Sequence, residues 1–378
     1  MTVDSGAVYN VAVSDTVASI AGAGSITLGS NTLTSGGSDA STTFSGVISG
    51  TNGNIIKAGT GTLTLSGANT YTGTTTINAG DLTVSGSLHD STAVTIASGA
   101  DYNVNASDTV ASIEGAGNIV IASSQTLTAG DGNDKTLSGV ISGAGNYIKA
   151  GSGTQTLTGN NSYTGSTTIS AGLLKIIRDD PTSYLAATSG FTGPGNLTIE
   201  SSGDDFTADI VTGTHVQLAG TALGNLIIGK TGNARQIDLS SDITTTGTQT
   251  YNGPVRLVGG DRTVSTTNSN IIFASTVNSD GTQRALTATN GTGDTTFSGA
   301  IGGSAPVKSL TITSDQLTLS RESFSFALPN TYNAPPLALT SSRLDTNFSA
   351  NSCSGAIATT GMRSSISASG PCFSSPAG

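Results

Sequence analysis

Three carboxylates and a histidine lie close together in the chain, at Asp204, Asp205, Asp209 and His215. Carboxylates carry out catalysis in polysaccharide lyases and hydrolases, and a glycosidase needs two of them at a defined separation. Nothing in the spacing of these four residues fixes such a pair, and basic partners are sparse. The sequence therefore favours solvated acids in a turn over acid–base machinery, and we expect no catalytic residues.

A second candidate for chemistry is the acidic segment Gly130–Asp134, which reads Gly-Asp-Gly-Asn-Asp and resembles one calcium-binding nonapeptide of a β-roll. Such sites need consecutive turns, because ligands from adjacent coils share each ion. Only one copy is present, and the equivalent segment Gly36–Asp39 keeps only part of it. We therefore expect an acidic turn without metal. Were calcium to bind, Asp131 and Asp134 would supply the hard oxygen ligands.

Other chemistry has less support. The two histidines of the chain, His89 and His215, are 126 residues apart (215 − 89), so a shared metal site is not expected. The glycine-rich stretch Gly59–Gly61 precedes no predicted helix that could hold a phosphate, and no serine elbow lies between a strand and a helix. Thr62 and Thr64 have the spacing of a flat face that binds ice or crystalline polysaccharide, but loops of unequal length disfavour a flat lattice. No cofactor is expected.

The composition restricts both the fold and the partners. Charged residues make up 10% of the 378 residues, glycine contributes 51, and tryptophan is absent. Such a chain cannot build a thick core around large side chains. The 14 basic and 24 acidic residues give a formal net charge of −10, which argues against nucleic acid and anionic membrane as partners. No stretch approaches the roughly 20 apolar residues of a membrane-spanning helix.

The most informative feature is internal repetition. The segment from Tyr9 to Ile20 returns from Tyr102 to Ile113, 93 residues later (102 − 9). A Tyr-x-Gly element serves as a landmark and occurs three times, as Tyr71 and Gly73, Tyr163 and Gly165, and Tyr251 and Gly253. Repetition of this kind indicates an array of stacked units, each contacting only its neighbours. We expect the three tyrosines to be packing residues at one corner of a coil, rather than platforms for a sugar.

Short strands alternate with turn residues, as in Ile55–Lys57, Leu63–Leu65, Thr75–Ile77 and Leu82–Val84. Apolar residues alternate with Thr or Ser in these runs, so one side of each strand points inward. Helix signals are nearly absent, because glycine is too frequent. The pattern predicts an all-β fold and favours a parallel β-solenoid with about 20 residues per coil over a hairpin-linked sandwich. Asn and Thr at equivalent turns are expected to stack into ladders.

We divide the chain into three segments. Residues 1–178 hold two copies of a roughly 92-residue superunit, and residues 179–320 continue the solenoid in diverged form. Residues 321–378 form a Pro- and Ser-rich tail that contains five of the nine prolines, which predicts irregular or disordered backbone. The tail also contains Cys353 and Cys372. They are compatible with a disulfide in a secreted protein and equally with a chance pair.

The residues around the first two tyrosine landmarks carry a family resemblance. Ile56–Leu82 resembles the passenger-associated β-strand repeat of bacterial autotransporters, and Ile148–Leu173 matches it again. Two later segments, Thr248–Val255 and Gly293–Ala300, resemble repeats of large filamentous bacterial exoproteins. The resemblance implies a right-handed parallel β-helix carried outside a Gram-negative cell, often as an adhesin or as the stalk beneath one. The repeat is a structural element, and no family catalytic residues carry over.

From this resemblance we expect a non-enzymatic segment that is extracellular or on the bacterial surface. The expected partner is a receptor on a host cell, in the matrix or on a glycan. Binding is expected on diverged loops, such as Arg178–Thr182 or Gly203–Asp209, because loops on a rigid scaffold carry function. The chain starts in mid-repeat without a secretory signal, so we expect a piece of a larger protein whose outer-membrane translocator lies elsewhere. A carbohydrate-active β-helix enzyme and a calcium-binding β-roll-like module are the alternatives.

Overall fold

A computed structural model describes residues 1–180, 190–218 and 223–319, and the backbone of residues 337–346 and 357–359. The rest of the predicted tail, 321–378, lies outside the described residues, as do both cysteines and the last two residues of the Arg178–Thr182 loop. For those residues the expectation of irregular backbone stays a prediction, while residues 337–346 and 357–359 of the tail form strands.

The predicted all-β fold is confirmed. The described residues contain no helix, and neighbouring strands run parallel. Each strand pairs with its counterpart on the next coil, so that backbone N–H and C=O groups are satisfied between coils. In the residues up to Ile176, paired residues are separated by 17 positions (Asp101 and Asn118) to 22 positions (Ile119 and Ile141), close to the expected coil length. The chain is a parallel β-solenoid. None of the described residues forms a helix of the length and apolarity that a bilayer crossing requires.

The structure divides into two compact units. Residues 1–176, 190 and 191 belong to the first unit, whereas residues 177–180 and the described residues from Thr192 onward belong to the second.

The strands of the first unit form four sheets, here numbered I to IV, and two of these strands end on a residue of the second unit, Ile177 and Thr192. Sheet I comprises Thr2–Val3, Ala21–Gly22, Thr42–Phe44, Thr62–Leu65, Gly80–Val84, Ala100–Val104, Asn118–Ile121 and Ile141–Gly143. Sheet II comprises Asp15–Val17, Thr32–Ser35, Asn54–Lys57, Thr74–Ile77, Ala93–Ile96, Ser112–Gly115, Lys135–Leu137, Thr154–Leu157 and Leu173–Ile177. Sheet III comprises Val8–Asn10, Ser25–Thr27 and Ile48–Ser49, and sheet IV comprises Asp108–Val110, Thr126–Ala129, Asn146–Lys149, Thr167–Ile169 and Phe191–Thr192.

The second unit contains two sheets. Sheet V has two rows of strands, Asn196–Glu200, Leu226–Ile228, Gln249–Tyr251, Ile271–Phe273 and Thr295–Phe297 in one, and Ile243–Thr245, Arg262–Thr266 and Ala285–Thr289 in the other. Both rows end on the long strand Ser309–Leu319, which is followed by Leu337–Thr346 and Ile357–Thr359. Sheet VI comprises Ile210–Val211, Ile237–Leu239, Val255–Leu257 and Val277–Ser279.

The core of each unit is a set of columns of aliphatic and aromatic side chains. In sheet I, for example, Phe44, Leu65, Val84, Val104 and Ile121 lie in register on successive coils and are buried. Thr and other small polar residues occupy the alternate positions and point outward. The alternation in the sequence thus places every second residue of a strand in a narrow, dry interior.

The two copies of the superunit are not in phase around the coil. The backbone beside Tyr71 donates to Ile48 in sheet III, whereas the backbone beside Tyr163 donates to Ile141 in sheet I. The expectation that these tyrosines share one corner is therefore wrong. A repeat of 92 residues (163 − 71) is not a whole number of coils of about 20 residues, so the second copy begins on a different face.

Candidate functional site

Two of the three acids considered as catalytic candidates contact the backbone of the next coil. The carboxylate of Asp205 accepts the Ala234 N–H, and Asp209 Oδ1 accepts the Gln236 N–H at 3.4 Å. Asp204 is exposed. His215 Nδ1 accepts the Val211 N–H at 3.1 Å within its own turn, and burial lowers the pKa of this imidazole. The backbone contacts of Asp205 and Asp209 align coils. Asp209 also approaches a second carboxylate, because the Arg256 guanidinium lies 3.9 Å from Asp209 and 2.5 Å from Asp238. This shared cation compensates both charges.

The Gly203–Asp209 loop is fixed in place by the coils beside it. Asp179 accepts the Ser202 N–H at 2.7 Å and the Ser202 hydroxyl at 2.8 Å, which lowers the pKa of the Asp179 carboxyl. Lys230 Nζ donates to the carbonyls of Ser202 at 2.8 Å and Gly203 at 3.0 Å. Arg235 Nε donates to the Phe206 carbonyl at 3.1 Å. This loop is thus preorganised and displays Asp204 on a rigid support.

In the acidic turn Gly130–Asp134, one carboxylate contacts its own turn and the other contacts the next coil. Asp131 Oδ1 accepts the Asn133 N–H at 2.7 Å, and Asp134 Oδ1 accepts the Thr154 N–H at 2.7 Å, which lowers the pKa of Asp134. In the first copy Asp39 plays the equivalent part, accepting the Thr60 N–H at 2.7 Å. No group of three potential metal-ligating side chains occurs in the part of the chain that the structure describes.

Asparagine side chains extend this pattern along the solenoid. Asn196 Oδ1 accepts the Asn225 N–H at 2.8 Å, and Asn225 Oδ1 in turn accepts the Thr248 N–H at 2.8 Å. The expected ladder of turn asparagines is therefore present over three coils. In the first unit, Asn54 and Asn146 accept the N–H groups of Thr74 and Ser166 in the same manner, both at 2.8 Å. These polar groups serve the stacking of coils.

Two buried lysines form a feature that the sequence analysis missed. Lys57 is 1% exposed, and its ammonium donates to the carbonyls of Ala58 at 2.9 Å, Gly59 at 2.8 Å and Ala79 at 3.0 Å. All three ammonium protons thus have partners, two in its own turn and one on the next coil. Burial lowers the pKa of this ammonium. We call this arrangement the lysine clamp.

The second copy repeats the lysine clamp. Lys149 is also 1% exposed and donates to the carbonyls of Ala150, Gly151 and Ala171 at 2.5, 3.0 and 3.3 Å. The signal was visible in the sequence, because a single lysine precedes Ala-Gly-x-Gly in both copies within a nearly uncharged run.

A Tyr–Asp pair is also repeated, in two different environments. Tyr102 donates to Asp108 Oδ2 at 2.8 Å, and Asp108 is 4% exposed. Tyr9 donates to Asp15 in the first coil, where both side chains are partly exposed. Burial raises the pKa of Asp108 to about 6, whereas the hydrogen bond from Tyr9 lowers the pKa of Asp15. The same sequence motif therefore raises the pKa of one aspartate and lowers the pKa of the other.

The three landmark tyrosines lie in the core. Tyr71 and Tyr163 place their hydroxyls 2.6 and 2.5 Å from the hydroxyls of Thr75 and Thr167. Tyr251 donates to Gln249 Oε1 at 2.8 Å, and its ring heads a column with Phe273 and Phe297 at centroid separations of 5.1 and 4.7 Å. Rings buried in this way fill the solenoid and offer no platform to a sugar.

The landmark glycines mark places where adjacent coils approach closely. A Cβ on Gly73 would lie 2.4 Å from the Gly53 carbonyl oxygen, and one on Gly165 would lie 2.1 Å from the Gly145 carbonyl oxygen. In the third copy, a Cβ on Gly253 would meet Asn233 Nδ2 at 2.4 Å. Only glycine fits at such contacts.

Comparison with known proteins agrees with this geometry. A family model of the passenger-associated-transport-repeat matches residues 55–84 and 148–176. These segments contain the two lysine clamps and the first two tyrosine landmarks, and the match confirms the resemblance to bacterial autotransporter passengers. No curated protein and no solved structure matches the chain. Two passenger repeats and a parallel solenoid are features of an autotransporter passenger, the secreted or surface-exposed part of such proteins.

Proposed function

We propose that the chain is a non-enzymatic passenger segment, extracellular or on the cell surface, that acts as an adhesin or as the stalk that carries one. The observation that supports this proposal is that polar side chains hold adjacent coils together. The acids and asparagines described above accept N–H groups from adjacent coils, which extends a stiff scaffold. This use argues against the alternative of a carbohydrate-active enzyme, because the two carboxylates that approach each other, Asp209 and Asp238, are both engaged by Arg256.

The Gly203–Asp209 loop is the surface we propose for binding a receptor. It is long enough to depart from the regular coil, yet Asp179, Lys230 and Arg235 hold it in one conformation. A loop fixed before binding loses less conformational entropy when it meets a partner. Asp204, exposed in this loop, supplies a negative charge for a receptor on a host cell, in the matrix or on a glycan.

Beads coated with the purified full chain would be applied to epithelial cells, matrix proteins and a glycan array. We expect retention on at least one surface, and reduced retention for Asp204→Arg. Asp4→Arg makes the same charge change at an exposed position of the first coil and should leave retention unchanged. Equal retention of the two variants would show that the receptor does not bind this loop. Release of reducing or unsaturated sugar ends from a panel of polysaccharides would contradict the non-enzymatic assignment.

A further inference from the structure

Asp108 is a buried carboxylate without a cation. Its Oδ2 accepts the Tyr102 hydroxyl, and its Oδ1 accepts the N–H groups of Leu88 and Thr109, both at 3.1 Å. Leu88 belongs to the preceding coil, 20 positions earlier, so the carboxylate ties two coils together. No ion pair of Asp108 occurs among the described residues. We call Leu88, Tyr102, Asp108 and Thr109 the Asp108 joint.

The described groups around the joint donate hydrogen bonds to Asp108 but bring no counter-ion to it. Tyr102 and Tyr71 are fully buried neutral phenols, and Asp90, in the turn that follows Leu88, adds a second negative charge. The paired strand Thr126–Ala129 carries no ionisable side chain. His89 is the basic residue of the Leu88 turn, and its Nδ1 accepts the Ser91 N–H. Burial disfavours the charged form of the carboxylate, and the three hydrogen bonds from neutral donors offset only part of that effect.

The first copy provides an internal comparison. Asp15 also accepts a tyrosine hydroxyl and the N–H of the next residue, from Tyr9 and Thr16, but it is partly exposed. Water can therefore stabilise the Asp15 carboxylate. The same motif thus occurs once in contact with water, at Asp15, and once beneath the preceding coil, at Asp108. Only at Asp108 does burial strongly disfavour the charged carboxylate.

We propose that the Asp108 joint is a proton-operated lock, in which uptake of one proton by the Asp108 carboxylate below neutral pH tightens the contact between the Leu88 turn and the strand Asp108–Val110. The proton comes from water and neutralises the carboxylate. The inference does not depend on the proposed adhesive function, because it concerns the stability of one contact.

The sign and size of the effect follow from linkage. The pKa of Asp108 is raised from 3.8 to about 6 in the folded chain, so the folded state binds this proton more tightly than the unfolded state. Stability at the joint therefore increases as pH falls through about 6 and levels off below the unfolded value. Between pH 7.5 and pH 5, the equilibrium constant for opening the joint should fall about tenfold. The pKa of Asp134 is lowered, so the stability that its carboxylate contributes is lost only at pH values below this range.

Hydrogen exchange of the full chain, followed by mass spectrometry, would test the lock. Peptides that contain Leu88 and Thr109 are compared at pH 7.5 and pH 5 after correction for intrinsic exchange. We expect about tenfold stronger protection at pH 5 in the native chain, no pH dependence in Asp108→Asn, and the native dependence in Asp15→Asn. Equal protection at both pH values, or the same dependence in Asp108→Asn, would overturn the proposal.

A direct titration keeps the proposal testable if the Asp108→Asn chain does not fold. The carboxyl carbon of Asp108 can be followed by NMR in the native chain labelled at aspartate. A midpoint near 6 supports the lock, and a midpoint at or below the ordinary value of 3.8 contradicts it.

Discussion

Replacing Lys57 by methionine tests whether the lysine clamp stabilises the solenoid. Methionine keeps most of the apolar stem, so the packing of the side chain changes little. The substitution removes three hydrogen bonds, to the carbonyls of Ala58, Gly59 and Ala79. At about 1 kcal/mol net for each, the free energy of unfolding should fall by about 3 kcal/mol. Loss of the buried ammonium also removes its desolvation cost, whereas the three carbonyls lose their partner, so these two effects oppose each other.

Lys230 provides the matched control. Its ammonium also donates to backbone carbonyls of another coil, those of Ser202 and Gly203, but the side chain is only half-buried. Water can replace these two hydrogen bonds, so Lys230→Met should cost less than about 1 kcal/mol. Lys149→Met, in the second clamp, should behave like Lys57→Met.

Urea titrations followed by far-UV circular dichroism would give the free energies, and hydrogen exchange of the peptides around Lys57 and Ala79 would show where protection is lost. The local measurement is needed because a stacked array can unfold in parts. If Lys57→Met destabilises the chain no more than Lys230→Met does, the buried ammonium makes no net contribution and the clamp is only a packing feature.

Three further predictions address the core, the ladder and calcium. Phe273→Ala interrupts the aromatic column and should cost about 3–5 kcal/mol in urea titrations, whereas a cost below 1 kcal/mol would show that the column does not stabilise the second unit. Asn225→Ala removes the acceptor for the Thr248 N–H at an exposed position and should cost less than about 1 kcal/mol, while Asn225→Asp keeps the acceptor and should lie closer to the native value. Calcium and EDTA should leave the melting temperature unchanged; an increase with calcium that Asp134→Asn abolishes would instead support the β-roll-like module.

The out-of-phase repeats affect how the chain displays its surface. Because the second copy begins on a different sheet, turns of equivalent sequence occur at different corners of the first unit. The turn at Asp39 follows a strand of sheet II, whereas the turn at Asp134 follows a strand of sheet IV. A receptor that recognised such a turn would therefore meet it on two faces of the solenoid.

Much of the fold could be predicted from local patterns. Alternating Thr and aliphatic residues determine strands with one buried side, and the long repeat determines stacking in parallel coils. The landmark glycines, such as Gly73, were also recognisable, because close approach of two coils excludes a side chain. These features depend on the chemistry of each residue and on its spacing from the next, which the sequence contains directly.

The environment of each side chain was decided by the tertiary structure. Asp15 and Asp108 lie in the same motif, yet only Asp108 is covered by a preceding coil, and coverage determines whether water can stabilise the charge. Lys57 could be recognised as a repeated lysine, but only the folded turn shows three carbonyls converging on its ammonium. Local residue patterns were enough to predict the strands and the repeat. Burial, charge compensation and the face on which each copy lies depend on contacts between residues about 20 positions apart, which exist only once the coils have stacked.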